Sequence, residues 1–169
     1  MECSGGKTMI KSAEIDPTGL YRYSLYRGWE TNAPKRIAFV MLNPSRADAT
    51  NDDPTLCRCI SFARSWGYGS LEVVNLFAYR ASKPEELKTV TDPVGSENDR
   101  YIQEVVKRAD KIIVAWGNQE ILKKRYKVVL NMLNGLSGIQ LYCLGTTKKG
   151  HPYHPLYVKS NTKPVFYLF

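Results

Sequence analysis

The chain has 169 residues, 43% hydrophobic and 24% charged, the make-up of one globular domain whose core needs no staples. No apolar run approaches the ~20 residues of a membrane span, and the opening MECSGGKTMIKSAEI lacks the apolar heart of a signal peptide, so a cytoplasmic protein with no membrane partner is expected. A net charge of +8, from 24 basic and 16 acidic residues, leans toward polyanionic partners such as nucleic acid or phosphorylated ligands.

The first 19 residues are polar and are predicted to be a loosely held start of the single domain, residues 1–169. Within them SGGKT, residues 4–8, looks like the tail of a phosphate loop, but the buried strand and upstream glycine that such a loop needs are missing. LYRYSLYRGW, residues 20–29, alternates large and polar side chains and reads as a half-exposed strand. Four short apolar runs follow at residues 36–42, 71–79, 111–117 and 139–145, each suited to a strand covered on both faces. VFYLF, residues 165–169, reads as an edge strand.

Between these runs lie helical patterns at residues 54–66, 97–109 and 118–134. Asp53 before Pro54 is a good N-cap followed by proline at the first helical position. Strands alternating with helices predict an α/β three-layer sandwich with a mainly parallel central sheet. Of the four cysteines, Cys57 and Cys59 have the wrong spacing for a zinc knuckle and would point about 200° apart on a helix, so all four are expected as free thiols.

Polar residues collect where the buried runs stop. The first ends in NPSRADATNDD, the second contains Asn75, the third stops at Gly117-Asn118, and the fourth runs into GTTKKGHPYHPLY. In a parallel sheet these ends share one edge, where open α/β folds bind ligands. Asn43 either starts a turn with Pro44 or offers a ligand an amide that donates and accepts. Asp48 orients water, binds a cation or faces solvent, and Asp53 caps a helix or meets a ligand. Asn75 interrupts the apolar VVNLF, so it bonds backbone in the core, pins the first loop or reads a ligand. His151 and His154, the two histidines, each precede proline and form a pocket wall or a rigid surface loop, with His154 nearer the apolar PLYV. Ser45, Gly117 and Tyr153 fall on the same rim. Arg46, Arg58, Arg64, Lys148 and Lys149 are candidates for tracking phosphates, while the KKRYK run at residues 123–127 is most simply a solvated helix face. Tyr68, Tyr79 and Tyr153 either stack on bases or pack. No second acidic cluster supports a metal, no cofactor motif is found, and no serine nucleophile is nominated.

The segments RYSLYRGW, FVMLNPSRADATNDDPTLCRCISFARSWGYGSLEVVNLFAYRASKPEEL, AWG and CLGTTKKGHPYHPLYV, taken in order, resemble a microbial family known as domain of unknown function 1643, over about residues 21–158. The order of motifs is also distantly similar to the uracil-DNA glycosylase superfamily. That likeness matches its Asn-Pro element to Asn43-Pro44, its base-contacting asparagine to Asn75, and its late His-Pro loop to His154-Pro155 or His151-Pro152. It implies a glycosylase-like α/β fold and N-glycosidic chemistry, with Asn43 and Asp48 handling water, Asn75 reading the base and His154 stabilising its anion. The Ser-Pro element that follows His-Pro in that superfamily is absent here. Three functions stay open: a base- or nucleoside-processing hydrolase or transferase, a nucleotide or nucleic-acid binding module without chemistry, and a small-molecule enzyme on the same scaffold.

Overall fold

The structure, a computed structural model, describes residue 3, residues 8–32 and residues 34–168. The Ser-Gly-Gly-Lys stretch at 4–7 and the terminal Phe169 lie outside the described residues. In chain order the elements are β1 (Ile10–Ile15), β2 (Arg22–Gly28), β3 (Arg36–Met41), α1 (Pro54–Ser65), β4 (Ser70–Asn75), α2 (Asn98–Arg108), β5 (Lys111–Val114), α3 (Arg125–Asn134), β6 (Leu141–Cys143) and β7 (Val165–Phe166), with short 3₁₀ turns at Pro84–Thr89, Glu120–Leu122 and Pro155–Tyr157.

One sheet holds all these strands in the order β1-β2-β4-β3-β5-β6-β7. Its centre, β4-β3-β5-β6, is parallel, while β2 joins β4, β1 joins β2 and β7 joins β6 antiparallel. The expected mainly parallel sheet is therefore a mixed one with a parallel heart, because among the described residues no α-helix crosses over between β1 and β2, β2 and β3, or β6 and β7. Within the stretch 1–19 that was expected to be loosely held, residues 10–15 are ordered: IKSAEI alternates exposed and half-buried residues and pairs along β2. With β1 and β4 on its two edges, β2 is almost wholly buried, where the sequence predicted half-exposure.

Alternation along the strands sorts side chains into two cores. Ile37, Phe39, Met41, Leu71, Val73 and Ile113 meet Leu56, Cys59, Ile60 and Ala63 of α1. Ala38, Val40, Val74, Ile112 and Val114 meet Ile102, Val105 and Val106 of α2 and Val129, Leu130 and Leu133 of α3. One helix thus covers one face and two cover the other, and each fully buried Leu, Ile or Phe contributes ~2 kcal/mol.

The single helix expected over residues 118–134 is interrupted. Lys123 adopts φ 41°, a left-handed conformation that ends the Glu120–Leu122 turn before α3 begins. The cysteine expectation fails for one pair: Cys3 and Cys57 form a disulfide, tying the segment before β1 to the first turns of α1, while Cys59 and Cys143 are free and buried. No helix among the described residues is long and apolar enough to cross a membrane.

Candidate functional site

The chain leaves β3 to form β4 on one side and later forms β5 on the other. The C-terminal ends of β3 and β5 therefore flank a topological switch point, where loops diverge and leave a hollow. A cavity of about 510 Å³ opens there, lined among others by Arg22, Asn43, Asp53, Gly117, Tyr153 and His154. Pro44, Ser45, Thr55 and Trp116 also line it. Most of the rim residues expected from the strand ends do converge.

Asn43 leaves β3 in a turn locked to the segment after β4. Its Nδ2 donates to the Pro44 carbonyl at 3.0 Å and the Ala81 carbonyl at 2.9 Å, and Ala81 N–H donates back to Pro44. Both neighbours are carbonyl oxygens, so the nitrogen must face them and Oδ1 remains as an acceptor. The turn and the ligand-facing roles weighed for Asn43 are thus compatible in one side chain.

The three aspartates separate into distinct tasks. Asp53 caps α1, Oδ1 accepting Leu56 N–H at 2.8 Å, while Oδ2 accepts Ala47 N–H at 3.1 Å, and its carboxylate lines the cavity. Asp52 turns inward under the loop and accepts from Arg27 Nε at 2.8 Å and Lys11 Nζ at 3.3 Å. Burial alone would raise the Asp52 carboxyl, but the bond from Arg27 brings it below its usual value. Asp48 does not line the cavity, which corrects its assignment to water handling. Its Oδ1 accepts the backbone N–H of Asn51 at 2.7 Å and of Thr50 at 2.9 Å, and these bonds hold its pKa down at about 2. It is a staple for the loop.

The late loop places the two histidines in different surroundings. Gly117 N–H donates to the Pro152 carbonyl at 2.9 Å, and Tyr153 N–H to the Gly145 carbonyl at 3.0 Å. Gly117 has φ +77°, and an added Cβ would stand 3.6 Å from His154 Cβ. These bonds bring Tyr153 and His154 to the cavity. His154 Nδ1 accepts Leu156 N–H at 3.2 Å, so the neutral ring carries its proton on Nε2 as a donor. Burial lowers its pKa below the usual histidine value, with Asp53 pulling the other way. His151 is corrected: it packs edge-on against Tyr126 at 4.9 Å and lines a separate groove beside α3.

Asn75 is buried behind the cavity wall and does not line it, which corrects its direct base-reading role. Its Oδ1 accepts from Arg22 Nη2 at 3.3 Å, while Asn98 Nδ2 binds its carbonyl at 2.9 Å. Arg22 lines the cavity in its place, and sequence reasoning missed it because a strand read as half-exposed gave its charge no special weight. Burial draws the pKa of Arg22 down to about 10, with Asp53 opposing, so it is cationic at neutral pH. Trp116 was also missed; its Nε1 is buried without a hydrogen-bond partner among the described residues.

The basic residues divide too. Arg58 is spent on the protein: Nε donates to the Pro155 carbonyl at 3.2 Å and Nη2 to that of Val158, clamping the His154 turn onto α1. That corrects its assignment to nucleic acid. Arg64 sits over the Trp29 ring in the last turn of α1, at the end away from the cavity. Arg46 and Lys148 are exposed, next in sequence to Ser45, Ala47 and Thr147 of the cavity wall, while Lys149 is exposed and lines the separate groove with His151. Tyr79 packs edge-on against Tyr21 at 5.7 Å. Among the described residues no three histidine, cysteine, aspartate or glutamate side chains gather as metal ligands.

The family described as protein of unknown function (DUF1643) matches residues 22–156 of the chain. No curated protein and no solved structure matches it.

Proposed function

The chain therefore belongs to that family, whose description carries no activity, and from the cavity we propose that it processes a nucleobase or nucleoside, in DNA or as a nucleotide, by N-glycosidic chemistry on a uracil-DNA-glycosylase-like scaffold. The observation that carries the reading is that Asn43 and His154, at the exits of the first and last central strands, line one cavity with an acceptor and a donor in hand. Leu56, Trp116 and Tyr157 give the cavity apolar wall suited to the face of a base, and Asn43, Asp53 and His154 give it polar groups to orient one.

In this reaction the C1′–N bond breaks and its electron pair leaves with the base. A water oxygen bonds to C1′ and gives up a proton, and the base takes a proton. Asn43 Oδ1 and the second lone pairs of Asp53 accept the hydrogens of that water and aim it. His154 Nε2–H donates to the oxygen or nitrogen on which the departing base gathers charge, the kind of preorganised term that weighs most in such reactions. Arg58 and Gly117 act through the loop that presents His154.

Release of free base from modified nucleosides, nucleotides and oligonucleotides tests the reading. Wild-type chain should release at least one base, and Asn43→Ala and His154→Ala should each slow release by about a hundredfold or more. Full activity in both variants ends the proposal. The second reading is a binding module without chemistry, favoured by the withdrawal of Asp48 and Asn75 from the cavity. Binding that weakens steeply with salt, with no base released, selects it.

A further inference from the structure

The two arginines of β2 are buried on the same side of the sheet and are satisfied to very different degrees. Arg27 is fully buried and matched by the protein: Nε donates to Asp52 at 2.8 Å, Nη1 to the Tyr26 carbonyl at 2.9 Å, and Nη2 to the carbonyls of Asp48 and Asn51 at 2.6 and 3.1 Å. Arg22 is only 4% exposed, yet it makes two hydrogen bonds, from Nη1 to the Ala47 carbonyl at 3.0 Å and from Nη2 to Asn75 Oδ1 at 3.3 Å. Nε has no partner among the described residues, and most of the five donors of the guanidinium are unspent. Among the described residues no ion pair reaches it, in contrast to Arg27. Asp53, and more weakly Asp48, compensate its charge only through space, and both oxygens of Asp53 are held by backbone N–H groups, that of Leu56 in the first turn of α1 and that of Ala47 in the loop before it.

The strand is bent to place Arg22 there. Glu14 faces Ser24 and Ile15 faces Arg22, so β2 spends Tyr23 as an extra residue. Tyr23 stacks on Tyr101 of α2 at 5.2 Å, whereas Leu25 packs in the α1-side core. Regular alternation would have put Tyr23 with Leu25 and turned Arg22 toward α2. The bulge re-aims the arginine into the cavity wall.

We propose that Arg22 binds an oxyanion, so the ligand of this cavity carries a phosphate or carboxylate on a flat apolar body. A neutral donor would hold a neutral carbonyl at smaller desolvation cost; a guanidinium kept out of water and unpaired matches a full negative charge. The inference rests on the reading of this cavity as the ligand site and narrows it to a nucleotide or an acidic base in preference to a neutral nucleoside. Asn75 and Ala47 hold the guanidinium plane, and Asn98 in turn bonds the backbone at Asn75.

The test titrates wild-type chain and Arg22→Gln with uridine, uridine monophosphate, orotate, benzoate and inorganic phosphate, using the Trp116 indole resonance to report cavity occupancy. Uridine monophosphate or orotate should bind the wild type about tenfold or more tightly than uridine, and Arg22→Gln should abolish the preference. Phosphate and benzoate then tell which oxyanion is preferred. Uridine binding as tightly as both anionic relatives, no anion moving Trp116, or a preference kept by Arg22→Gln overturns the proposal. Where the variant fails to fold, the wild-type comparison of neutral and anionic ligands decides alone. Anions held through Arg22 by a chain that cuts no N-glycosidic bond would defeat the base-processing reading and leave this one standing.

Discussion

Asp53 joins Ala47 to the start of α1: Oδ2 accepts the Ala47 N–H at 3.1 Å while Oδ1 caps the helix through Leu56 at 2.8 Å. One carboxylate thus fixes the loop that follows Asn43 and the helix that floors the cavity. The Ala47 carbonyl is in turn the acceptor for Arg22. The position of the buried cation depends on this link.

Replacing Asp53 by alanine removes a cap worth ~1 kcal/mol and strands the Ala47 N–H at a further ~1–3 kcal/mol. Urea unfolding should show a loss of at least about 2 kcal/mol. Asp53→Asn, which keeps an oxygen for Leu56, should lose less. Equal stability of Asp53→Ala and wild type would contradict the role given to this side chain.

Both members of the Arg27–Asp52 pair have fully buried side chains. Asp52→Ala leaves a desolvated guanidinium and should cost about 3–5 kcal/mol, whereas the double replacement Arg27→Met, Asp52→Leu should recover most of that loss. A double-mutant cycle by chemical denaturation measures the coupling. A near-zero coupling energy would show that the loop is held by something else.

His154 resists protonation in the folded chain because of burial, against the opposing pull of Asp53. Its folded pKa lies below the value of an unfolded chain, so folding expels a proton in the window between the two. Stability should fall as pH drops below about 6.5 and level off once the folded ring is also charged. Nδ1 must stay unprotonated to accept Leu156 N–H, so ligand binding should fade over the same acid limb. A pH titration of wild type beside His154→Gln checks both, and an identical acid limb in the variant assigns it to another group.

The Cys3–Cys57 disulfide closes a sequence separation of 54 residues. Thiol titration of the unfolded, unreduced chain should find two free groups, those of Cys59 and Cys143. Cys57→Ser should cost about 2–4 kcal/mol by loop-closure entropy. Four free thiols would return the chain to the sequence expectation.

Much of the centre was legible in the sequence. The apolar runs became β3, β4, β5 and β6, Asp53-Pro54 started α1, and Asn43 and His154 met at one cavity. These features rest on local pattern and on the rule that parallel strands share an edge. What failed depended on distant partners. β1 mixes apolar and charged residues, leaves Ile10 exposed, and is a strand because β2 lies beside it. Arg22 and Arg27 look like surface charges until Ala47, Asn75 and Asp52 are brought to them. His151 and His154 each precede a proline, and only Tyr126 on one side and the Gly117 turn on the other separate their fates. Asp48 and Asn75 are polar for structural reasons, one bonding its own loop and the other orienting an arginine.

The most direct measurement is the nitrogen-15 spectrum of the His154 imidazole as the chain is saturated with a nucleotide or acidic base that it binds. The account predicts that the Nε2 resonance shifts on binding, that Nδ1 keeps its unprotonated signature, and that Asn43→Ala weakens the ligand that causes the shift. A ligand that binds and leaves His154 unmoved, or that shifts it equally in Asn43→Ala, contradicts the claim that these two side chains address one molecule.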